Sequence, residues 1–305
     1  MRGFRTDLAM ERVTGRNSMP EGVELDTECD DDITVTTIRV TSEAGARQME
    51  RAMGRYVTLS CPSLAHSDAE KQHRIACRVR DVLAGLLPPK GELLVMGLGN
   101  RNVTADALGT RVVERMLVTR HMLRSVDADL ARKLRGVSAI APGVLGVTGI
   151  ETAELCKGLV RHVEPTAVVA IDALAAYDSE RICTTIQITD TGIEPGSGVG
   201  NHRLGLNRDT LGVPVIAIGV PMVVYASTIA RDALTHLLDR YGMPRDEAAR
   251  QMLRDVCDGP LGEMVVTPRE IDELVVSVAE VLGDGMNQAF HPLLDAPTLR
   301  MFMHQ

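Results

Sequence analysis

Residues Leu93 to Asp106, LLVMGLGNRNVTAD, decide the fold. The first six form an unbroken apolar run, the pattern of a strand buried on both faces. Gly97 and Gly99 let the chain turn sharply at its end, and a helical segment follows from about Ala105 to Leu123. The pattern then repeats. Val137–Ala141, Thr166–Ile171, Cys183–Ile188 and Val213–Val220 read as short apolar strands. Helical segments over Ile150–Val163, Val223–Tyr241 and Pro268 to about Ala289 lie between or after them, the last opened by Thr267 as N-cap. Such alternation predicts right-handed βαβ crossovers and an α/β three-layer sandwich around a twisted, mostly parallel sheet.

Upstream, Asp68–Leu87 reads as a helix capped by Ser67 and stopped by Pro88 and Pro89. Ile33–Thr41 and Tyr56–Cys61 alternate as strands and are expected to form a small extra N-terminal β-sheet. Residues 1 to about 32, ending in Asp30, Asp31 and Asp32, read as an irregular arm.

The 305 residues include no Trp, three Phe and four Tyr, so the core must be aliphatic. A net charge of −8 argues against a nucleic-acid binder. Six cysteines, Cys29, Cys61, Cys77, Cys156, Cys183 and Cys257, show no C-x-x-C pair and no zinc spacing, as expected of reduced thiols in a cytoplasmic protein. The first thirty residues lack an apolar signal core, and the run Val213–Val224 is short and carries Pro214 and Pro221. A soluble, intracellular protein is the expectation.

Ligands of open α/β sheets bind beyond the carboxyl ends of the strands, so the residues just past each strand were tested for chemistry. Gly97-Leu98-Gly99 lacks the third glycine of a dinucleotide fingerprint, since residue 102 is Asn, and no G-K-[ST] occurs. Ser197 sits in G-S-G without the flanks of a nucleophile elbow. His202 follows the Gly-rich loop and has the chemistry of a base or ligand, although a surface histidine is the commoner outcome. Two carboxylates remain. Asp172 follows the apolar Val168–Ile171, where desolvation raises a carboxyl pKa. Asp106 falls in the first helical turn if Thr104 is its N-cap, where the helix dipole lowers it. Carboxylates pushed apart in this way suit the roles of general acid and base. Spacing alone also allows two ordinary capping aspartates.

Longer segments add to this reading. GLGNRNVTADALG (Gly97–Gly109), LVTRH (Leu117–His121), SAIAPGVLGVTGIET (Ser138–Thr152), AIDALAA (Ala170–Ala176), TTIQITDTGIEPGSGVGNHR (Thr184–Arg203) and TLGVPVIAIGVP (Thr210–Pro221) closely resemble the germination proteases. These enzymes degrade the small acid-soluble proteins that coat spore DNA. The resemblance extends from RTDLA near the start to TPREIDELV near the end. It implies a fold similar to that of hydrogenase-maturation proteases, a homotetramer in the spore core, and an atypical aspartic mechanism with no metal or other cofactor. The family's proposed catalytic aspartates fall on Asp106 and Asp172. Members are made as zymogens that cut themselves after an acidic residue followed by a large apolar one and Ala.

Thr6-Asp7-Leu8-Ala9 fits that rule, which predicts cleavage between Asp7 and Leu8. Residues 1–7 would then be a short pro-segment and residues 8–305 a single α/β protease domain, with N-terminal strands and helix over 8–90 and the core over 91–305. An acidic residue before the cut requires a cation, for which Arg101, Arg120 and Arg203 are candidates. Asn100, Arg101, Thr148, Glu151 and Arg203 are the expected substrate-binding residues. Three other readings compete: a peptidyl-tRNA hydrolase, poorly served by net charge −8; a nickel-dependent hydrogenase-maturation-type protease; and a non-catalytic tetrameric relative.

Overall fold

The computed structural model describes residues 6–14, 18–194, 204–244 and 264–303, with Glu247, Gln251 and Asp255 between them. Its strands are β1 (Val23–Asp30), β2 (Ile33–Val40), β3 (Gly54–Ser60), β4 (Leu93–Gly97), β5 (Val137–Ile140), β6 (Ala167–Ala176), β7 (Thr185–Thr189), β8 (Val215–Tyr225) and β9 (Val265–Val266). The helices are α1 (Glu43–Met49), α2 (Ala69–Ala84), α3 (Leu108–Val113), α4 (Ala128–Lys133), α5 (Leu145–Thr148), α6 (Thr152–Val163), α7 (Arg208–Leu211), α8 (Ala226–Arg240), α9 (Ile271–Phe290) and α10 (Ala296–Met303).

One sheet carries all the described strands, in the order β1-β2-β3-β7-β8-β6-β4-β5, with β9 paired to β8. β5, β4, β6 and β8 run parallel, as the apolar runs predict. The N-terminal strands do not close a sheet of their own. β3 pairs antiparallel with β7, which pairs antiparallel with β8, so β1 to β3 prolong the central sheet. The unpredicted β1 shows a single buried residue at its start and exposed positions after it, so VELDTECD lacks the alternation that marks a half-buried strand.

Alternation along the parallel strands divides the core into two layers. Val169, Ile171, Ile216 and Ile218 face α2 and α9, meeting Ile75, Val79, Val278 and Leu282. Leu94, Met96, Val168 and Ala170 face α6 and α7, meeting Ala153, Cys156 and Leu211. Cys29, Cys61, Cys77, Cys156 and Cys183 form no disulfides, and burial pushes the Cys156 and Cys183 thiols up to about 12. Cys257 lies outside the described residues. Among those residues, no helix is long and apolar enough to cross a membrane.

Local expectations shift at several points, among them Thr267, since Glu270 precedes the last long helix as its N-cap. Asp68, not Ser67, caps α2 through the Lys71 amide. The helix expected over 105–123 is confined to α3, preceded by a 3-10 turn over Thr104–Asp106. The strand expected to stop at Ile171 continues to Ala176.

His291, just beyond α9, is fully buried, accepts from the Arg135 amide through Nδ1 at 3.3 Å and has no partner on Nε2. Burial pulls its pKa down to about 4, against about 6.5 in an unfolded chain. The unfolded chain therefore binds a proton that the folded one refuses. Stability from this site is full above pH 6.5 and is lost as pH falls toward 4, by roughly 3 kcal/mol at most. Urea denaturation across that window should fall more steeply for wild type than for His291→Met; equal slopes would refute the assignment.

Candidate active site

Where β4 stops, β6 does not. Gly97 is the last β4 residue paired to β6, opposite Ile171, and the final bond between the strands runs from the Leu98 amide to the Ile171 carbonyl at 2.8 Å. Beyond it, the β6 edge that β4 had covered is open to other partners. Gly99, at φ +100°, turns the chain away into the 3-10 turn that carries Asp106. The backbones here touch. A Cβ on Gly97 would lie 2.0 Å from the Gly109 carbonyl oxygen, and one on Gly99 2.0 Å from that of Asp106.

This close packing seats α3 and its preceding turn directly against the ends of β4 and β6. Asp106 is half-buried and its Oδ2 accepts from the Asn100 amide at 2.8 Å. It closes the 3-10 turn instead of opening an α-helix, and Thr104 is not its cap. Asp172 is 5% exposed and its Oδ1 accepts from the Ala173 amide at 2.9 Å. It lies within β6 and does not end it. Asp106 thus follows the carboxyl end of β4, and Asp172 lies in β6 just past the last residue paired to β4.

Across the sheet Asp172 is in register with Gly219 of β8, and Gly219 with Gln187 of β7. A Cβ on Gly219 would meet the Leu174 side chain at 2.4 Å, so glycine leaves room there for Leu174. Leu174 stands two residues beyond Asp172 on the same face, about 7 Å along the strand.

Over this row lies the chain's own N-terminal arm. The Asp7 amide donates to the Ala175 carbonyl at 3.1 Å, and the Ala175 amide donates to Asp7 Oδ2 at 2.9 Å. Leu8 is fully buried against Leu174, Ala176 and Val224. Gln187 Nε2 donates to the Asp7 carbonyl at 3.1 Å, and its Oε1 accepts from the Ala9 amide at 2.6 Å. The Leu8 amide donates to Thr6 Oγ1 at 3.0 Å, and Thr6 in turn donates to Glu11. Glu11 accepts from the Tyr177 and Asp178 amides at 2.9 Å and faces Arg181 at 3.5 Å. Burial pushes its pKa up, against those lowering contacts.

Arg51 completes the surroundings. Its Nη2 donates to the Thr6 carbonyl at 2.6 Å, and with Asp7, Gln187, Tyr56 and Glu194 it lines a cavity of about 170 Å³. Burial draws the guanidinium below its ordinary pKa, and the Asp7 carboxylate opposes that shift.

The other expected site residues fare unequally. Asn100 binds Asp106 through its amide. Arg101 pairs with Glu114, and Arg120 pairs with Glu92 at 2.8 Å. The Arg120 amide bonds to Val137 at the amino end of β5, opposite the aspartates. Thr148 is exposed and its hydroxyl is spent on Val144 and Ile150, while the half-buried Glu151 stands at the N-cap of α6. Ser197, His202 and Arg203 lie outside the described residues. Among the described residues, no three His, Cys, Asp or Glu gather as metal ligands.

Arg51 and Gln187 were not singled out from the sequence. Gln187 lies within the quoted segment Thr184–Arg203 but carries no chemical signature there, Arg51 lies in none of the quoted segments, and they meet the arm across 180 and 45 residues of sequence. The one available signal was TTIQITD, whose alternation sets Gln187 on the face opposite Ile186 and Ile188.

A family profile described as germination protease matches residues 6–250. A germination protease of Clostridium perfringens (strain 13 / Type A) is 40% identical over 327 residues, covering 100% of both chains. One of Caldanaerobacter subterraneus subsp. tengcongensis is 40% identical over 99% of this chain and 98% of its own. One of Bacillus subtilis (strain 168) is 38% identical over 94% and 93%. Among solved structures, the NiFe hydrogenase maturation protease HycI from Thermococcus kodakarensis KOD1 aligns at 19% identity over 67% of this chain and 98% of its own, with a TM-score of 0.36. A likeness at that score carries no argument. The sequence matches make this chain a peptidase. It belongs to the germination protease family, and its activity is that of a protease in spore germination.

Proposed function

We propose that the chain is an endopeptidase that cuts after an acidic residue, with Asp106 and Asp172 sharing the proton transfers. The observation that carries this reading is the arm. Asp7-Leu8 lies over the row that holds Asp172, with the Asp7 carboxylate on the Ala175 amide and within the field of Arg51. In hydrolysis a water adds its oxygen to the Asp7 carbonyl carbon while its proton passes to one carboxylate. The C–N bond to Leu8 then breaks as the other aspartate, present as the carboxylic acid, gives its proton to the leaving nitrogen. The products are a carboxylate at Asp7 and an amine at Leu8, and neither aspartate is consumed.

On this reading residues 1–7 are a pro-segment, residues 8–305 the protease domain, and the chain a self-processing zymogen. The same site then takes small acid-soluble spore proteins, whose acidic residue replaces Asp7. The enzyme works in the spore core as a homotetramer, with its two carboxylates in place of a cofactor. Arg51 takes the role of acidic-residue reader for which Arg101, Arg120 and Arg203 were candidates.

Incubation of the full chain, followed by N-terminal sequencing, should yield a new start at Leu8; an N-terminus that stays upstream of Leu8 under all conditions would refute the zymogen reading. Arg51→Gln should slow that conversion about 10- to 100-fold, the weight of a charge-assisted contact. In an Asp7→Asn background the same substitution should have little further effect, because the charge it serves is gone. Equal losses in both backgrounds would make Arg51 a structural residue only.

A further inference from the structure

Gln187 holds the main chain on both sides of Leu8. Its amide donor meets the Asp7 carbonyl oxygen at 3.1 Å and its amide acceptor meets the Ala9 N–H at 2.6 Å. The side chain is 7% exposed, so both polar ends of a buried carboxamide are used on the arm. It shares a face and a cross-strand row with Asp172, and Gly219 between them leaves its space to the Leu174 side chain, against which Leu8 packs. The Gln187 Nε2 donor thus meets the carbonyl oxygen of the Asp7-Leu8 peptide bond itself.

From this geometry we infer that Gln187 is a further catalytic residue: its Nε2–H binds the oxygen that becomes negative when water adds to the scissile carbonyl. The inference rests on the reading of Asp7-Leu8 as a bond cut in this site. The water oxygen bonds to the carbonyl carbon, the carbonyl electron pair moves onto the oxygen, and Gln187 donates to that oxyanion. When the pair returns, the C–N bond breaks and the leaving nitrogen takes a proton from a carboxylic acid. Gln187 gives up no proton. A hydrogen bond to the neutral carbonyl strengthens as charge develops, so it lowers the barrier more than it tightens ground-state binding. The contact from Oε1 to Ala9 fixes the carboxamide so that its donor end, not its acceptor end, faces that oxygen.

The test is the rate at which the full chain converts to the form starting at Leu8, for wild type, Gln187→Met and Asp172→Asn. Met fills the space without a donor. Removal of one oxyanion donor typically costs about 10²- to 10³-fold, and that slowing is expected for Gln187→Met. Hydrogen exchange at the Asp7 and Leu8 amides should remain as slow as in wild type, because their acceptors, the Ala175 carbonyl and the Thr6 hydroxyl, are untouched, while the Ala9 amide loses its acceptor and exchanges faster. If wild type converts, Asp172→Asn does not, and Gln187→Met converts at the wild-type rate, the role of Gln187 is overturned and the two-aspartate reading survives. If Gln187→Met slows conversion but the Asp7 and Leu8 amides exchange freely, Gln187 is an anchor and the inference fails. If wild type itself never cuts at Leu8, both fall together.

Discussion

Replacement of Asp172 by Asn is expected to slow cleavage by about 10²- to 10⁴-fold, the usual worth of a positioned general acid or base, and Asp106→Asn to do the same. Asn keeps the shape and retains an oxygen to accept from the Ala173 amide in one case and the Asn100 amide in the other. The fold should therefore persist, and thermal unfolding of each variant should match wild type within a few degrees. What Asn cannot do is take or deliver the proton. The double variant should be little worse than either single one, since two groups acting as one unit are not additive. Assays on a small acid-soluble spore protein and on the arm should agree. Near-wild-type rates in both single variants would end the two-aspartate mechanism, while the family membership would stand.

The second large effect is on stability. Gly109→Ala should destabilise the protein by about 4 kcal/mol or more, or prevent its accumulation, because the added methyl meets only backbone. Its Cβ would lie 2.5 Å from the Ile171 carbonyl oxygen and from both the amide nitrogen and carbonyl oxygen of Leu98. No flexible side chain can yield there, and the atoms in the way are those of the last β4–β6 hydrogen bond. Gly158→Ala is the control. Gly158 sits in α6 with nothing within 4 Å of an added Cβ, and the change should stabilise by about 0.5–1 kcal/mol. Urea denaturation of both variants decides the matter. A Gly109→Ala midpoint close to wild type would mean that α3 can retreat from the sheet and does not fix Asp106.

The parallel half of the sheet was legible because β4, β6 and β8 are buried on both faces and leave unbroken apolar runs. Asp172 was visible for the same reason, as a carboxylate among aliphatics. Its true setting was not. The eye ends a strand at a charge, whereas β6 continues because β8 still pairs with it through Ala176. The sequence marks Gly97 and Gly99 as turn formers, which holds for Gly99 at φ +100°. Gly97 and Gly109 are instead required by the approach of one backbone to another, a property of packing that no local pattern displays. Arg51 and Gln187 escaped for a related reason. Their roles depend on the arm folding back across the sheet, over a separation of 178 residues for the Ala9–Gln187 bond.

One consequence follows from the unequal lengths of β4 and β6. Past Ile171 the exposed border of β6 offers its main-chain groups sideways, and the Ala175 amide and carbonyl, with the Tyr177 amide, are taken up by the arm. Of these contacts only that of the Asp7 amide with the Ala175 carbonyl joins main chain to main chain; the two β6-border amides are met by the carboxylates of Asp7 and Glu11. Glu11 reaches its place from a 3-10 turn, Met10–Arg12. Recognition of this kind reads a pair of acidic side chains together with one main-chain amide. A visitor that lacks either carboxylate leaves a buried amide of this border unmet, at a cost of about 1–3 kcal/mol.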